Sequence, residues 1–390
     1  MKYRLIDLFS GAGGFTLGFT DERFGGGFQS ILAVDNEKAA IATYNANFGA
    51  HGILASIEDW LAEKPEVPVA DVVIGGLPCQ GFSLLNKKRQ GDCRRALWQP
   101  YMDVVEYSHA SVFVIENVPE VVRSKEFDDL KHRAESIGFK VISGILNSAD
   151  YGVPQTWRRA FIIGWKQGVI RSPAFPPAAT HSELPLLSVL PNWLTVRDAI
   201  SDLPEPEGTE IRKIPPPLDL HFGRKPTNTS LARYKAVPPG GNRFDLQKNA
   251  PELTPACWIK KTSGGTDLFG RLWWDRPSVT IRTEFFKPEK GRYLHPEKHR
   301  PITHREAARL MGFPDDFRFI GSKTEIARQI GNAVPPPLAG AIAQGIRTML
   351  DSSVHSASSL LESSDRNGSS LNGTPVASTG EPLACGGSPR

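Results

Sequence analysis

The strongest constraint on the fold is a series of short, continuous apolar runs, each of which stops at glycine or polar residues. These runs are Tyr3–Phe9, Ser30–Val34, Asp71–Ile74 and Ser111–Ile115. A strand with apolar side chains at successive positions is buried on both faces, as in a sheet that is covered by helices. In open α/β sheets, ligands bind at the carboxyl ends of such strands. The residues that follow each run are therefore the first candidates for function.

The run Asp71–Ile74 leads into a loop that carries a single cysteine. Gly75 and Gly76 end the strand, and Cys79 follows directly after Pro78. Proline fixes its own φ and restricts the residue before it, so the cysteine stands on a stiff backbone. The loop predicts a nucleophilic thiol at the sheet edge, and the alternative is a half-buried free cysteine without a chemical role.

A glycine-rich turn joins the first run to a helix-like stretch, FTLGF. The turn is Ser10-Gly11-Ala12-Gly13-Gly14, and the order strand, glycine turn, helix is typical of a nucleotide-binding βα unit. Glycines let the backbone approach a ligand, and the helix N-terminus favours an anionic group. The alternative is a tight turn without a ligand.

Two further stretches are candidates for binding the rest of a nucleotide-like ligand. Asp35 ends the second run about 20 residues after the glycines, a common position for an acid that holds ribose hydroxyls. The alternative is that Asp35 or Asn36 caps the helix predicted to follow. Ser56 and Ile57 follow a short third strand and are candidates for an adenine pocket, with a surface turn as the alternative.

Two charged residues are expected near the cysteine. Glu116 follows the run Ser111–Ile115 and would face the same crevice as Cys79. A buried carboxyl has a raised pKa, which suits a general acid, whereas a capping or surface glutamate is the alternative. Arg159 precedes another apolar run, 160–165, and is expected near the crevice, although adjacent arginines are usually surface charges.

The composition changes after residue 165. Prolines recur between residues 173 and 239, which is unfavourable for a sheet and indicates a different domain or an irregular insert. Residues 212–276 hold 12 Lys and Arg against 5 Asp and Glu, interleaved with aromatic side chains and glycine pairs. This pattern fits a nucleic-acid surface, with a solvated basic surface as the alternative. A strand pattern returns at Ser278–Arg282.

The C-terminal part predicts two helices and a tail. Thr303 and Glu306 have the spacing of a capping box, and that helix ends at Gly312. The last helix is predicted over Leu338–Leu350. Residues 351–390 contain 11 Ser and 5 Gly without apolar periodicity, so they are predicted to be disordered.

Composition excludes several other classes of protein. Charged residues make up 23% and hydrophobic residues 40% of the 390 residues, as in ordinary globular proteins, and the net charge is +4. No run of about 18 apolar residues exists, so no membrane contact is expected. The four cysteines form no CxxC pair, which argues against a zinc site or a disulfide framework and favours the cytoplasm. We expect no metal ion.

The ordered set of motifs resembles the DNA cytosine-5 methyltransferases. The resemblance covers nearly all of residues 3–350 and rests on FSGAGG (9–14), VDNE (34–37), GGLPCQGFS (75–83), ENV (116–118), YGVPQ (151–155) with Arg159, and GNAVPPPLAGAI (331–342). One of these motifs alone would be weak. Their occurrence in the family's order, with Pro-Cys-Gln and Glu-Asn-Val at two strand ends, is highly specific.

The resemblance implies an α/β fold with a Rossmann-like, doubly wound sheet and a small, irregular target-recognition domain inserted into it. The catalytic domain would comprise residues 1–182 and 301–350, with the insert at 183–300 and the tail at 351–390. The last helix would fold back onto the N-terminal unit. Because a base inside a duplex cannot reach a pocket at the sheet edge, the cytosine would be flipped out of double-stranded DNA.

The resemblance also implies S-adenosylmethionine as the methyl donor. The turn would hold its methionine end, Asp35 with Asn36 its ribose, and Ser56 with Ile57 its adenine. Asn332 would help to close the site. The complete set of implied cofactor-binding residues is Phe9, Gly11, Ala12, Gly13, Gly14, Asp35, Asn36, Ser56, Ile57, Pro78 and Asn332.

Three residues would act on the cytosine. Cys79 would attack C6 as a thiolate, which turns C5 into a nucleophile that accepts the methyl group. Glu116 would bond N3 and the amino group of the base, and Arg159 would hold the base from its O2 side. The chain departs from the family pattern at Trp157, where the family has arginine, and at Ser56, where it often has aspartate.

Other functions remain as alternatives. An RNA cytosine-5 methyltransferase would use the same core, although the large insert favours duplex DNA. A catalytically inactive DNA-binding scaffold is disfavoured by the presence of Cys79 and Glu116. A nicotinamide dehydrogenase would leave the cysteine loop without a role. We expect a monomer, with a restriction endonuclease that acts on the same DNA site as a possible partner.

Overall fold

A computed structural model describes residues 2–78, 96–184, 189–260 and 262–367 of the protein, with side chains up to residue 353. The predicted nucleophile, Cys79, lies outside these described residues. Among the helices of the described part, none is long and apolar enough to cross a membrane.

Within the described part of the chain, seven strands form one sheet with the order β3-β2-β1-β4-β5-β7-β6. All neighbouring strands are parallel except β7, which runs antiparallel to both β5 and β6. The predicted apolar runs are found as strands of this sheet. The strands are β1 (Tyr3–Leu8), β2 (Phe28–Asp35), β3 (Gly52–Leu54), β4 (Val72–Gly76), β5 (Val112–Asn117), β6 (Phe139–Asn147) and β7 (Arg158–Lys166).

Helices follow most strands and continue through the C-terminal half. Short 3-10 turns lie between several of them. The helices are α1 (Gly14–Thr20), α2 (Lys38–Phe48), α3 (Ile57–Ala62), α4 (Trp98–Tyr107), α5 (Lys125–Ser136), α6 (Val196–Ile200), α7 (Asn228–Ala236), α8 (Arg243–Asn249), α9 (Ala256–Ile259), α10 (His304–Leu310), α11 (Lys323–Asn332) and α12 (Pro336–Asn367). The predicted capping box is present at α10, where Thr303 and Glu306 bond each other's backbone reciprocally.

The sheet is covered on both faces, which confirms the Rossmann-like prediction. On one face, α3, α4 and α5 bury apolar side chains such as Trp60, Met102 and Leu130 against the strands. On the other face, α1 and α12 pack together through side chains such as Phe15 and Leu338. The last helix therefore returns to the N-terminal unit, as expected from the family resemblance.

Two predictions about secondary structure are wrong. Ser278–Arg282 is not a strand of the sheet; a single bridge joins Ser278 to Gln155. The backbone of this segment bonds the loop at Pro154–Thr156 instead, with Ser278 N donating to Pro154 O at 2.9 Å. The tail prediction fails for residues 351–367, because α12 continues to Asn367. No glycine or proline interrupts the chain between residues 346 and 367, so nothing in the sequence breaks the helix earlier.

The insert contributes no strand to the sheet among its described residues. It consists of α6 to α9, short turns and isolated bridges. Its apolar side chains pack with those of α10 and α11 in one cluster, which joins Phe222 and Leu272 to Leu310 and Ile330. The shared core thus crosses the boundary predicted at residue 300.

Candidate active site

The candidate site lies where the strand order reverses between β1 and β4. Parallel pairing aligns Leu8 with Gly75, and Gly76 with Glu116. The ends of β1, β4 and β5 are therefore neighbours at one edge of the sheet. This edge gathers the glycine turn, the loop that leads to Cys79, and Glu116, as the carboxyl-end rule anticipated.

The glycine turn after β1 adopts backbone conformations that side chains rarely allow. Gly11 and Gly13 have φ values of 54° and 88°. A Cβ atom at Gly11 would meet nothing within 4 Å, so this side of the turn is open. Among the described residues, the buried Ser10 hydroxyl has no hydrogen-bond partner. The turn therefore combines an open backbone with a hydroxyl that has no partner in the described part of the chain.

Asp35 is tied to the glycine turn. Its Oδ2 accepts a hydrogen bond from Gly11 N at 2.8 Å, and its Oδ1 accepts one from Glu37 N at 2.8 Å. Burial raises the pKa of Asp35, and these two backbone donors oppose that rise. The N-cap of α2 is Glu37, so the alternative capping role of Asp35 and Asn36 is not observed. Asn36 is exposed beside it.

Sequence reasoning did not select Glu37. Its carboxylate is exposed at the same strand end and pairs with Arg328 at 2.9 Å. The signal in the sequence was the second acid of the VDNE motif, only two residues after Asp35.

Ser56 and Ile57 begin α3 beside β3. Ser56 caps the helix, accepting a hydrogen bond from Asp59 N at 3.1 Å and donating to Asp59 Oδ2 at 2.7 Å. Ile57 is buried against the core. The serine that replaces the family's aspartate therefore caps the N-terminus of α3.

Glu116 and Arg159 form an ion pair at the sheet edge. Arg159 Nε lies 3.1 Å from Glu116 Oε1, and β7 supplies the arginine because it runs antiparallel beside β5. Burial raises the pKa of Glu116 to about 7, although the Arg159 charge and hydrogen bond act in the opposite direction. Glu116 Oε2 also lies 3.4 Å from the position that a Cβ at Gly76 would take. The pair is thus adjacent to the strand end three residues before Cys79.

Trp157 packs against the guanidinium group of Arg159. The tryptophan is 3% exposed, and the Arg159 guanidinium lies 4.5 Å from its ring centroid. Arg159 Nη1 also donates to Arg158 O at 2.9 Å. The departure from the family pattern at Trp157 therefore supplies a packed aromatic face for a cation–π contact.

Asn117 is a site residue that sequence reasoning left without a role. It is buried, donates from Nδ2 to Leu77 O at 3.4 Å, and accepts from Val118 N at 2.8 Å. It links the end of β5 to the loop that precedes Cys79. The signal was a polar amide at the end of an apolar strand.

The segment after α11 reaches the glycine turn. A Cβ at Gly14 would lie 2.6 Å from Val334 O and 3.1 Å from Ala333 Cβ, so only glycine permits this approach. Asn332 is the exposed last residue of α11. Pro78 is half-buried at the end of the described loop. Among the described residues, no group of three or more His, Cys, Asp or Glu side chains could hold a metal ion.

The basic charge of the insert is only partly exposed. Arg243 and Arg271 are buried, and their guanidinium groups donate to backbone carbonyls, for example to Gly264 O at 2.6 Å and Tyr234 O at 2.7 Å. These two buried residues therefore do not belong to the nucleic-acid surface that the basic pattern of 212–276 predicts. Lys260 is exposed, and Lys261 lies outside the described residues.

Residues 3–348 match the model of the C-5 cytosine-specific DNA methylase family, and the chain belongs to that family. It is a DNA cytosine-5 methyltransferase with a Rossmann-like α/β fold. It is 35% identical over 360 residues to the Type II methyltransferase M1.HphI of Haemophilus parahaemolyticus, covering 90% of this chain and 88% of the relative. It is 32% identical over 436 residues to the Type II methyltransferase M.AgeI of Thalassovita gelatinovora, covering 89% and 100%.

Solved structures share the fold. A protein described as a DNA modification methyltransferase from an E. coli prophage has a TM-score of 0.64 at 24% identity, covering 90% of this chain and all of that one. The S. pombe Dnmt2 methyltransferase has a TM-score of 0.57 at 16% identity, covering 88% and 98%. At these identities the likeness supports the architecture alone.

Proposed function

We propose that this methyltransferase transfers a methyl group from S-adenosylmethionine to C5 of a cytosine flipped out of a specific double-stranded DNA sequence. The reaction would proceed through a covalent bond between Cys79 Sγ and cytosine C6. The observation that carries this proposal is the partly buried Glu116–Arg159 ion pair, which lies beside the strand end that leads to Cys79.

The features of the glycine turn support a binding site for S-adenosylmethionine. The Ser10 hydroxyl has no partner in the described part of the chain, and the space at Gly11 is open, so the turn offers a free polar group and an accessible backbone. S-adenosylmethionine supplies an electrophilic methyl group when bound. Phe9 and the residues Gly11, Ala12, Gly13 and Gly14 would hold its amino-acid end at the start of α1.

The remaining cofactor contacts would come from neighbouring strand ends. Asp35 fixes the turn through Gly11, and we propose that Asn36 and Glu37 stand beside it at the ribose. Ile57 and Ser56 would line the adenine, and Pro78 and Asn332 would close the site. These assignments follow the strand ends and the contact between Gly14 and Val334.

Cys79 would act as the nucleophile. A new S–C6 bond forms as the C5–C6 π electrons move toward C5, and C5 then bonds the methyl group. Loss of the C5 proton to a base returns the electrons to the C5–C6 bond and breaks the S–C6 bond, which restores the thiolate. The attacking species is the thiolate, whose free pKa is about 8.5.

Glu116 would balance the charge that develops when C6 is attacked. Because burial raises its pKa to about 7, Glu116 can hold a proton near neutral pH and donate it to cytosine N3. Arg159 would hold the O2 side of the base, fixed there by its contacts with Glu116 and Trp157. The pair would thus orient the base and stabilise its transition state.

DNA would be read by residues 183–300, and catalysis would use residues 1–182 with 301–350. A flipped base requires a protein surface that holds the opened duplex, and the insert supplies exposed basic and polar loops. The names of the Type II relatives support a role in restriction–modification, with a cognate endonuclease as a partner. We propose that the protein acts as a monomer.

Transfer of labelled methyl groups from S-adenosylmethionine tests this function. Duplex DNA with many sequence contexts and transfer RNA would be offered in parallel, and the methylated positions would be mapped as 5-methylcytosine. We expect label in DNA at one sequence context. Label in transfer RNA alone would favour the RNA methyltransferase alternative, and no label in either nucleic acid would favour the inactive scaffold.

A further inference from the structure

We propose that Arg243 and Arg292 determine which DNA sequence is methylated, by holding two loops of the insert in a fixed relative position without contacting DNA. The first loop is Pro238–Asn242, before α8, and the second is Thr262–Asp267, after α9. This inference rests on the proposed reading of DNA by the insert.

Arg292 joins the two loops directly. Its side chain is almost fully buried, and Nη1 donates to Gly240 O at 2.8 Å and Gly241 O at 3.0 Å. Nη2 donates to Thr266 O at 3.1 Å in the second loop. One planar guanidinium therefore bonds both loops at once.

Arg243 also bonds the backbone of the second loop. It stands at the first residue of α8, directly after the first loop, and it is 0% exposed. It donates to Ser263 O at 3.4 Å, Gly264 O at 2.6 Å and Gly265 O at 3.3 Å. Because three consecutive carbonyls bond one side chain, the backbone of the second loop follows the position of Arg243.

Aromatic rings fix both arginines. The Arg243 guanidinium lies 4.0 Å from the ring centroid of Phe244, and that of Arg292 lies 3.9 Å from the ring centroid of Trp273. Stacking of this kind restricts the guanidinium plane and adds to its hydrogen bonds. The two donors are thus held before any nucleic acid binds.

The loops themselves carry the groups that can meet base edges. Thr262, Ser263 and Thr266 are exposed and can approach DNA, whereas Arg243 is buried and cannot contact a base edge. No sheet ladder fixes these loops, since the described part of the insert contributes no strand to the sheet. The spacing between their polar tips then depends on the arginines, and a change in that spacing alters which bases the tips can bond.

A lysine at these two positions distinguishes the effect of the positive charge from the effect of the hydrogen-bond geometry. It keeps the positive charge but replaces five planar donors by one ammonium group, which cannot make the same set of hydrogen bonds to the loop carbonyls. Arg243→Lys and Arg292→Lys are the test variants. Arg233→Lys is the matched control, because Arg233 also donates to a carbonyl of the insert, Leu253 O at 2.7 Å, outside both loops.

The experiment measures single-turnover methylation of cognate DNA and of DNA with one base pair changed, for the unmodified protein and each variant. Since one wrong base pair costs about 1–3 kcal/mol, we expect the lysine variants to lose discrimination at one position by about tenfold or more. Their rate at saturating cognate DNA should change less than this ratio. Arg233→Lys should keep the sequence profile of the unmodified protein.

The outcomes are separable. If the unmodified protein methylates one sequence and both lysine variants retain its profile while losing rate uniformly, the positioning role is wrong and the proposed function stands. If the unmodified protein methylates no DNA, the proposed function itself fails. Should the lysine variants not fold, Phe244→Leu removes the ring that fixes Arg243 and leaves the arginine in place. A profile unchanged in Phe244→Leu would then overturn the proposal for Arg243.

Discussion

Arginine has different partners in the two regions of the molecule. At the sheet edge, Arg159 pairs with a carboxylate, and the positions of both residues are set by the strand register. In the insert, Arg243, Arg271 and Arg292 donate mainly to backbone carbonyls, and no strand of the sheet passes through the described residues there. In the sheet, the hydrogen bonds between strands position the charged side chains. In the insert, the charged side chains position the backbone.

This difference sets the expected effects of mutation. At the sheet edge, a substitution removes a functional group while the strands keep their positions. In the insert, a substitution at a buried arginine leaves several carbonyls without donors, which costs free energy and alters loop geometry. The predictions below separate these two kinds of effect.

The largest effect is expected for Cys79→Ser. A hydroxyl is far less ionised than a thiol at neutral pH, so methyl transfer should fall on the order of 10⁴-fold or more. DNA binding should persist, because the substitution leaves the basic surface intact. Gel-shift affinity together with labelled methyl transfer measures both quantities, and turnover close to that of the unmodified protein would contradict the assignment of the nucleophile.

Glu116→Gln should reduce methyl transfer by about 10²–10³-fold, because glutamine cannot give a proton to N3. The pH dependence identifies this role. Glu116 holds its proton below pH about 7 and loses it above that value. As pH rises past 7, the loss of this proton offsets the gain in thiolate, so kcat/KM should stop rising near pH 7.

The glutamine variant has no such proton to lose, so its residual kcat/KM should continue to rise until the thiol is fully ionised. A pH–rate series from 6 to about 9 on both proteins provides the comparison. The same plateau in both proteins would show that Glu116 is not the group that titrates.

Arg271→Lys should destabilise the insert. Arg271 donates to Val237 O, Tyr234 O, His295 O and Lys298 O, and one ammonium cannot satisfy all four. We expect a loss of about 2–4 kcal/mol in the free energy of unfolding of this region. Hydrogen exchange should increase in residues 234–298 and remain unchanged in the sheet.

Tyr101→Phe is the counterpart in the sheet. The Tyr101 hydroxyl donates toward Val73 O and Val114 O at 3.0 Å each, but both carbonyls belong to strands with their own ladder. The loss should be only about 1 kcal/mol. Denaturant unfolding measures the loss of unfolding free energy in both variants. Equal losses for Tyr101→Phe and Arg271→Lys would contradict this comparison.

The smallest effect is expected for Lys260→Ala. This exposed side chain would contact phosphate, so its removal should weaken binding to all sequences by a similar factor. The log–log slope of affinity against salt should flatten by about 0.9 for one lost contact. A change in the methylated sequence would show that Lys260 reads bases.

The sheet and its functional edge were predictable because their signals are local. Continuous apolar runs, glycine turns and polar residues at strand ends gave the strands, the ligand edge and the neighbourhood of Glu116 and Arg159. The family resemblance added the doubly wound order and the return of the last helix. The length of α12 was missed, because a serine-rich composition suggested disorder although no glycine or proline occurs between residues 346 and 367.

The insert was less predictable for a physical reason. Arg243 and Arg271 lie within the basic pattern of residues 212–276, which was interpreted as a nucleic-acid surface because charged residues are usually exposed. Their burial depends on carbonyls that are brought together only by the tertiary fold, such as Gly264 O and Tyr234 O. Asn117 was missed in the same way, since its partner Leu77 lies on another strand end.

Mechanism-based trapping tests the proposed attack of Cys79 on a flipped cytosine. Duplex DNA with 5-fluorocytosine at the target position would be incubated with the protein and S-adenosylmethionine. Fluorine cannot leave as a cation, so elimination should stall and a denaturation-resistant complex should form, with the DNA attached to Cys79. Methylation of ordinary DNA by the same preparation, without any trapped complex on the fluorinated duplex, would contradict attack by Cys79 on C6.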